Sequence, residues 1–406
     1  MRILIYFGGK STMKTFAKII ALAMCALMCF GMCVGCTGGA PEYTANNTEI
    51  IIGVSGPLTG GAAIYGTAVK NAAQMAVDEI NAAGGLNGMK FKLVAVDDMH
   101  DATKIATNYS SLFEGGMQVS LGTVTTAPGL EFKNLSKDDN VFYLTPSASG
   151  DKIPEFSNAY QMCFADGNQG KVAAEFVNAN FTGKTIGAFY KADEDYSKGI
   201  FQQFKENLDA SVTVIETKFT EANKTDFAAQ IDTLKECEFI FMPTYYDPAS
   251  IFMKQAKDII PANATYYGCD GFDGIDNIDG FDITTIPQKV TMLSHFNSKD
   301  TETKAVVDFV SKYTAKYGAD TLNQFGASAY DCVYALFGAM KKAIDGGKTI
   351  EVTISASDLC EILKAEFEGG YTYTNGVTGA SITWEKSGYV NKQATQYIIK
   401  EANVAE

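Results

Sequence analysis

From Glu49 onward, short apolar runs alternate with amphipathic stretches. Ile50-Ile51-Ile52-Gly53-Val54 has no polar position, the pattern of a strand buried on both faces. It breaks into Ser55-Gly56-Pro57-Leu58-Thr59-Gly60-Gly61, which is too rich in Gly and Pro for regular structure. From about Tyr65 to Ala83, the residues Val69, Ala72, Ala73, Ala76 and Ile80 recur at helical spacing. Asp78, Glu79 and Asn81 fall off that face, and Gly84-Gly85 ends the helix. Phe91–Val96 predicts a second strand closing on Asp97-Asp98, and Asp101 caps a helix reaching about Phe113. Strand and helix in strict alternation predict a parallel βαβ sheet.

The next stretch repeats one device twice. The strand Val119–Gly122 breaks into Thr123-Val124-Thr125-Thr126-Ala127-Pro128. The strand Val141–Leu144 breaks into Thr145-Pro146-Ser147-Ala148-Ser149-Gly150, and a short helix over 129–137 lies between them. Hydroxyls and free backbone N–H groups at the carboxyl end of a parallel sheet suit an anion such as a carboxylate. Such residues also cap helices with no ligand at all. Two successive turns of this kind, one helix apart, favour the ligand reading.

A second α/β run begins near Gln169, with strands expected at Thr185–Tyr190, Val212–Ile215, Phe239–Met242 and Thr265–Gly268. Helices are expected between them, one opening at Asp193-Glu194-Asp195-Tyr196. The last strand ends on Cys269-Asp270-Gly271, an exposed Gly-rich loop. Helical stretches at about 301–317 and 327–345 follow. Two such runs with a returning helical segment predict two doubly wound parallel-sheet lobes joined by a multi-strand hinge, with ligand between them.

Charge and leader narrow the function. The chain has 406 residues and a formal charge of −14; without residues 1–35 it carries 47 acids against 29 bases, or −18. A body that acidic argues against nucleic acid as a partner, which wants a basic face. Lys14 and Lys18 precede an apolar run, Ile19–Val34, whose 16 residues are short of the roughly 20 a membrane span needs. Residues 1–35 therefore read as an export signal, with Met13 the natural start. Cys33-Val34-Gly35-Cys36 resembles the lipoprotein box, with Cys33 where Leu is usual, so Cys36 is the expected lipid-bearing residue. Residues 36–48 read as a tether, and the localisation expected is export with lipid anchoring to the outer face of the membrane. Five cysteines remain (Cys163, Cys237, Cys269, Cys332 and Cys360), an odd number at wide spacing that reads as buried thiols.

Catalytic patterns fail. His100 and His295 are the only histidines and have no metal-ligand spacing. G-x-S-x-G, the P-loop and G-x-G-x-x-G after a strand do not occur. Asp270, Asp273, Asp276, Asp279 and Asp282 recur every three residues, unlike the alternate spacing of a calcium loop, and read as solvated acids. No enzyme activity, cofactor or metal is expected.

Ser55-Gly56-Pro57, Ile64-Tyr65-Gly66, Ile80-Asn81-Ala82-Ala83-Gly84-Gly85, Asp97-Asp98, Thr145-Pro146 and Asn168-Gln169-Gly170 together resemble the branched-chain amino-acid-binding proteins, type I periplasmic-binding folds that serve ABC importers. The resemblance runs from about Glu49 to Ile399. It implies an N-terminal lobe of residues 49–166 and 295–390, a C-terminal lobe of 167–294 and 391–406, and a monomer working with membrane permease subunits. It places the carboxylate-binding hydroxyl on Thr123, the residues bracketing the ligand backbone on Ser147 and Ser149, and the ammonium-pairing acid on Asp270. The aromatic walls fall on Tyr65, Tyr196, Tyr246 and Phe325, and Asp166 matches a further acid near the ammonium or hinge. The implied ligand is a small, branched-chain or other aliphatic amino acid. An amide, urea, an aromatic acid, or a sensing role beside a membrane receptor are the alternatives.

Overall fold

The computed structural model describes residues 47–403. Cys36 and its apolar leader lie outside that range. β1 (Ile50–Gly56) is buried at every position and sits inside a five-stranded sheet. It pairs with β2 (Phe91–Asp97) in the register Ile50↔Phe91 to Gly56↔Asp97, and with β3 (Val119–Thr123) on its other side. β4 (Tyr143–Thr145) and β5 (Ala159–Gln161) continue the sheet, giving the order β2-β1-β3-β4-β5. Every pairing is parallel, so all the carboxyl ends lie along one edge. Ile50 and Ile52 are fully buried, and each such side chain contributes roughly 1.5–3 kcal/mol of hydrophobic stabilisation.

Three helices join these strands: α1 (Ala63–Ala82), α2 (Ile105–Glu114) and α3 (Thr126–Asp138). α3 begins at Thr126, three residues before the expected start at Gly129, and takes Pro128 into its first turn. Proline is tolerated there because the first N–H groups of a helix have no internal acceptor. The free N–H groups of α3 therefore belong to the Thr125-Thr126 turn. Gly122, at φ 62°, supplies the left-handed bend that ends β3, a conformation other residues rarely adopt.

The second sheet has the order β13-β10-β9-β8-β6-β7. Its parallel strands are β6 (Thr185–Lys191), β7 (Thr213–Phe219), β8 (Phe239–Met242), β9 (Thr265–Gly268) and β10 (Lys289–Ser294). β13 (Thr395–Lys400) runs antiparallel on the edge beside β10. Its helices are α4 (Asp166–Asn180), α5 (Asp195–Asn207), α6 (Ala228–Leu234) and α7 (Tyr246–Ala256).

α8 (Lys304–Tyr317), α9 (Gln324–Asp345) and α10 (Ala356–Glu368) follow β10, and α9 packs along α1 beside the first sheet. A small hairpin, β11 (Thr372–Thr374) with β12 (Ser381–Thr383), precedes the return to β13. The chain thus passes between the sheets three times: after β5, after β10 and before β13. Close to the last crossing, the indole N–H of Trp384 donates to the Gln161 carbonyl of β5 at 2.7 Å. Sequence patterning does not predict β5, β10, α10, β11, β12 or β13. All five remaining cysteines are free and buried, as their spacing implies.

Candidate functional site

The hydroxyl turns of the first sheet are tied to one another by side-chain-to-backbone bonds. Thr145 Oγ1 donates to the Thr123 carbonyl and Ser147 Oγ to the Val124 carbonyl, both at 2.7 Å. The Gly150 N–H donates to Thr126 Oγ1 at 3.2 Å. Thr123 Oγ1 donates to the Thr125 carbonyl at 3.3 Å and lies under Gly129 of α3, so this hydroxyl is engaged within its own turn. Ser149 meets Asp166 through the backbone, the Asp166 N–H donating to the Ser149 carbonyl at 2.8 Å.

The second sheet presents Tyr196, Tyr245, Tyr246 and Asp270 from the carboxyl ends of β6, β8 and β9. The Tyr196 hydroxyl donates to Asp270 Oδ1 at 2.6 Å and accepts the Gly271 N–H at 2.9 Å. The Asp270 N–H donates to Gln169 Oε1 at 2.9 Å. A Cβ on residue 271 would stand 2.8 Å from the Tyr196 hydroxyl, so this turn requires glycine. Asp270 is 2 % exposed, which corrects the expectation of an exposed loop: the turn folds as a short 3₁₀ segment beneath Tyr196. The run of solvated acids is corrected at two of its five positions. Asp276, Asp279 and Asp282 are exposed, but Asp270 is buried and Asp273 is half-buried, accepting the Gln324 N–H at 2.8 Å.

Contacts cross from one set of turns to the other. The Tyr65 hydroxyl donates to the Gly271 carbonyl at 2.5 Å. Its ring stands edge-on to Tyr246 and to Phe325, with centroids 4.8 Å away in each case. Tyr65, Tyr246 and Phe325 therefore form one aromatic cluster, and Tyr196 with Asp270 joins it through Gly271. His100, in the turn after β2, bonds Thr125 Oγ1 through Nδ1 at 2.9 Å and Glu194 Oε1 through Nε2 at 3.1 Å.

Tyr245 is a site residue that sequence reasoning misses. Its ring stacks on Tyr196 at 4.5 Å with an 8° interplanar angle and stands edge-on to His100 at 5.1 Å. In the sequence it is the neighbour of Tyr246, and only the exact start of α7 shows that both rings reach Tyr65. Thr126 belongs to the hydroxyl turn the sequence marks out, but its place as the first residue of α3 is not legible there.

The electrostatics of the site are one-sided. Burial pushes the Asp270 carboxyl up to about 6, against the hydrogen bonds from Tyr196 and Gln169 that pull it down. Burial, and then the charge of Asp270, raise Asp166 well above the ordinary carboxylate range. No lysine, arginine or histidine pairs with either carboxylate among the described residues, and none of the described residues form a metal-ligating group of three.

A two-lobed α/β architecture with hydroxyl turns facing buried acids across a cleft defines a solute-binding protein. The chain belongs to the periplasmic binding protein family, whose model matches residues 49–389. A Leu/Ile/Val-binding protein of Rhizobium johnstonii is 29% identical over 350 residues, covering 84% of this chain and 92% of its own. A leucine-, isoleucine-, valine-, threonine- and alanine-binding protein of Pseudomonas aeruginosa is 27% identical, covering 75% and 81%. Among solved structures, the branched-chain amino acid transporter substrate-binding protein LivJ of Streptococcus pneumoniae, in complex with isoleucine, superposes with a TM-score of 0.74 at 25% identity, covering 87% of this chain and 97% of its own.

Proposed function

We propose that this protein is the extracellular receptor of an ABC importer, holding an aliphatic α-amino acid between its lobes and delivering it to the permease. The lobes are taken as residues 49–166 with 295–390, and 167–294 with 391–406. Anchoring is assigned to Cys36 and the working form to a monomer.

The observation that carries this reading is the pair of buried carboxylates, Asp270 and Asp166, neither of them ion-paired with a cation among the described residues. Burying charge without a partner is costly, and a ligand ammonium removes the cost. The same ligand's carboxylate would meet the free N–H groups at the start of α3 and the Ser147–Ser149 turn. Its side chain would lie against Tyr65, Tyr246 and Phe325. The names of the relatives support an aliphatic side chain.

Calorimetric titration with leucine, isoleucine and valine, each beside its analogue lacking the amino group, tests the assignment. The amino acids should bind and the analogues should not. Equal binding of both would remove the ammonium from the reading.

A further inference from the structure

Beyond Tyr245 the cleft opens into a cavity of about 580 Å³, between the turns that follow β1, β2 and β3 and those that follow β6, β7 and β8. Tyr245 and Glu194 both line it, whereas Asp270 and Tyr196 do not. The aromatic walls expected for an aliphatic side chain are already in mutual contact, so the open volume lies at this outer end of the site.

Two observations give the cavity a charge preference. Six carboxylates and two lysines line it, and both lysines are taken: Lys191 pairs with Glu221 at 2.9 Å and Lys224 with Glu221 at 2.5 Å. Independently, Glu194 is 6 % exposed, and its Oε2 has no hydrogen-bond partner among the described residues. Its other oxygen, Oε1, takes His100 at 3.1 Å and a longer approach from Lys191 at 3.6 Å. Buried carboxylate oxygens are almost always satisfied, and this one lacks a donor from the described residues. Glu194 also acts on the inner site: after burial, its charge is the largest influence raising the Tyr245 hydroxyl, and it contributes to raising Asp166.

We infer that Glu194 is a second anionic anchor, which extends the ligand range to α-amino acids whose side chain ends in an ammonium or guanidinium group. The inference rests on the reading that Asp270 takes the α-ammonium. The chain of the ligand then runs past Tyr245, and its distal cation donates to Glu194 Oε2. A wholly aliphatic ligand leaves that oxygen unsatisfied and the cavity unfilled.

Lysine and norleucine test this, because they share a four-carbon chain and differ in the terminal ammonium. Calorimetry on the full chain should show lysine binding at least tenfold more tightly than norleucine, and Glu194→Gln should bring that ratio close to one. The ratio is the readout because loss of the His100 contact in the variant acts on both ligands alike. Should the variant not fold, the wild-type ratio decides alone. Norleucine or leucine binding as tightly as lysine, or a ratio unmoved by Glu194→Gln, overturns the second anchor and leaves the amino-acid reading standing. Failure of every α-amino acid to bind overturns both.

Discussion

The Tyr65 hydroxyl donates to the Gly271 carbonyl at 2.5 Å, joining the first turn of α1 to the turn that carries Asp270. These residues are 206 positions apart and belong to elements of different sheets. Gly271 also donates its N–H to Tyr196, which in turn holds Asp270. Approach of the two sheets and orientation of the acid are therefore one structural event.

Tyr65→Phe keeps the ring contacts and deletes this bond. A net loss of about 0.5–1.5 kcal/mol, or roughly 2- to 12-fold in affinity, is expected for the cognate amino acid. Small-angle scattering on the wild type should show the radius of gyration falling when ligand is added, and the variant should need more ligand for the same change. A ligand-saturated wild type with unchanged dimensions contradicts closure.

Asp270→Asn preserves shape and an acceptor for Tyr196 while removing the charge. Leaving the ligand ammonium without its counter-ion should cost about 2–5 kcal/mol, a 30-fold or greater loss. The empty variant should melt at a higher temperature than wild type at pH 8, because ionised Asp270 burdens the folded state. Its carboxyl sits at about 6 in the folded protein and at the ordinary 3.8 in the unfolded chain, so the stabilising proton is fully present below about 4 and lost as pH rises through 6. The difference in melting temperature should accordingly vanish near pH 4. Unchanged affinity in calorimetry would exclude Asp270 from the site.

The same carboxyl sets the pH dependence of binding. An ammonium ligand pairs with the ionised form, so binding below about pH 6 must expel a proton. Affinity should be level above pH 7 and weaken below 6, approaching tenfold per pH unit. Titrations that stay flat from pH 8 to pH 5 would show that no carboxyl of this kind meets the ligand.

Anchoring is tested by mass spectrometry of the native N-terminal peptide. A diacylglyceryl adduct on Cys36 is expected. An unmodified terminus at another residue would refute it.

The strands β1, β3, β6 and β8 are legible in the sequence because buried parallel strands are largely apolar runs bounded by Gly, Pro or hydroxyl turns. β5, β11 and β12 have three residues each, too few for any period. β13 is a part-exposed edge strand, and its polar Thr395-Gln396 start hides it. Within the site, the family resemblance names Tyr65, Tyr196, Tyr246, Phe325 and Asp270, but the bond from Tyr196 to Asp270 has no signal in the sequence. Tyr245 and Glu194 depend on where α7 and α5 begin, and a shift of a residue or two there changes which side chain faces the cleft. The burial of Asp270 is not legible because Gly271 and Gly274 mimic an exposed loop.

The pairing of α1 with α9 fixes the order in which the protein can be completed. Asn323 approaches the Ile64 carbonyl, and Tyr330 donates to Glu79 at 2.6 Å, across 259 and 251 positions of chain. At ribosomal speeds of about 5–20 residues per second, the apolar face of α1 waits roughly 10–50 s for the helix that covers it. Throughout that interval the nascent polypeptide presents Val69, Ala72, Ala73 and Ala76 without their final cover. With 251 positions between Glu79 and Tyr330, the first lobe cannot close its helical layer until α9 has been made.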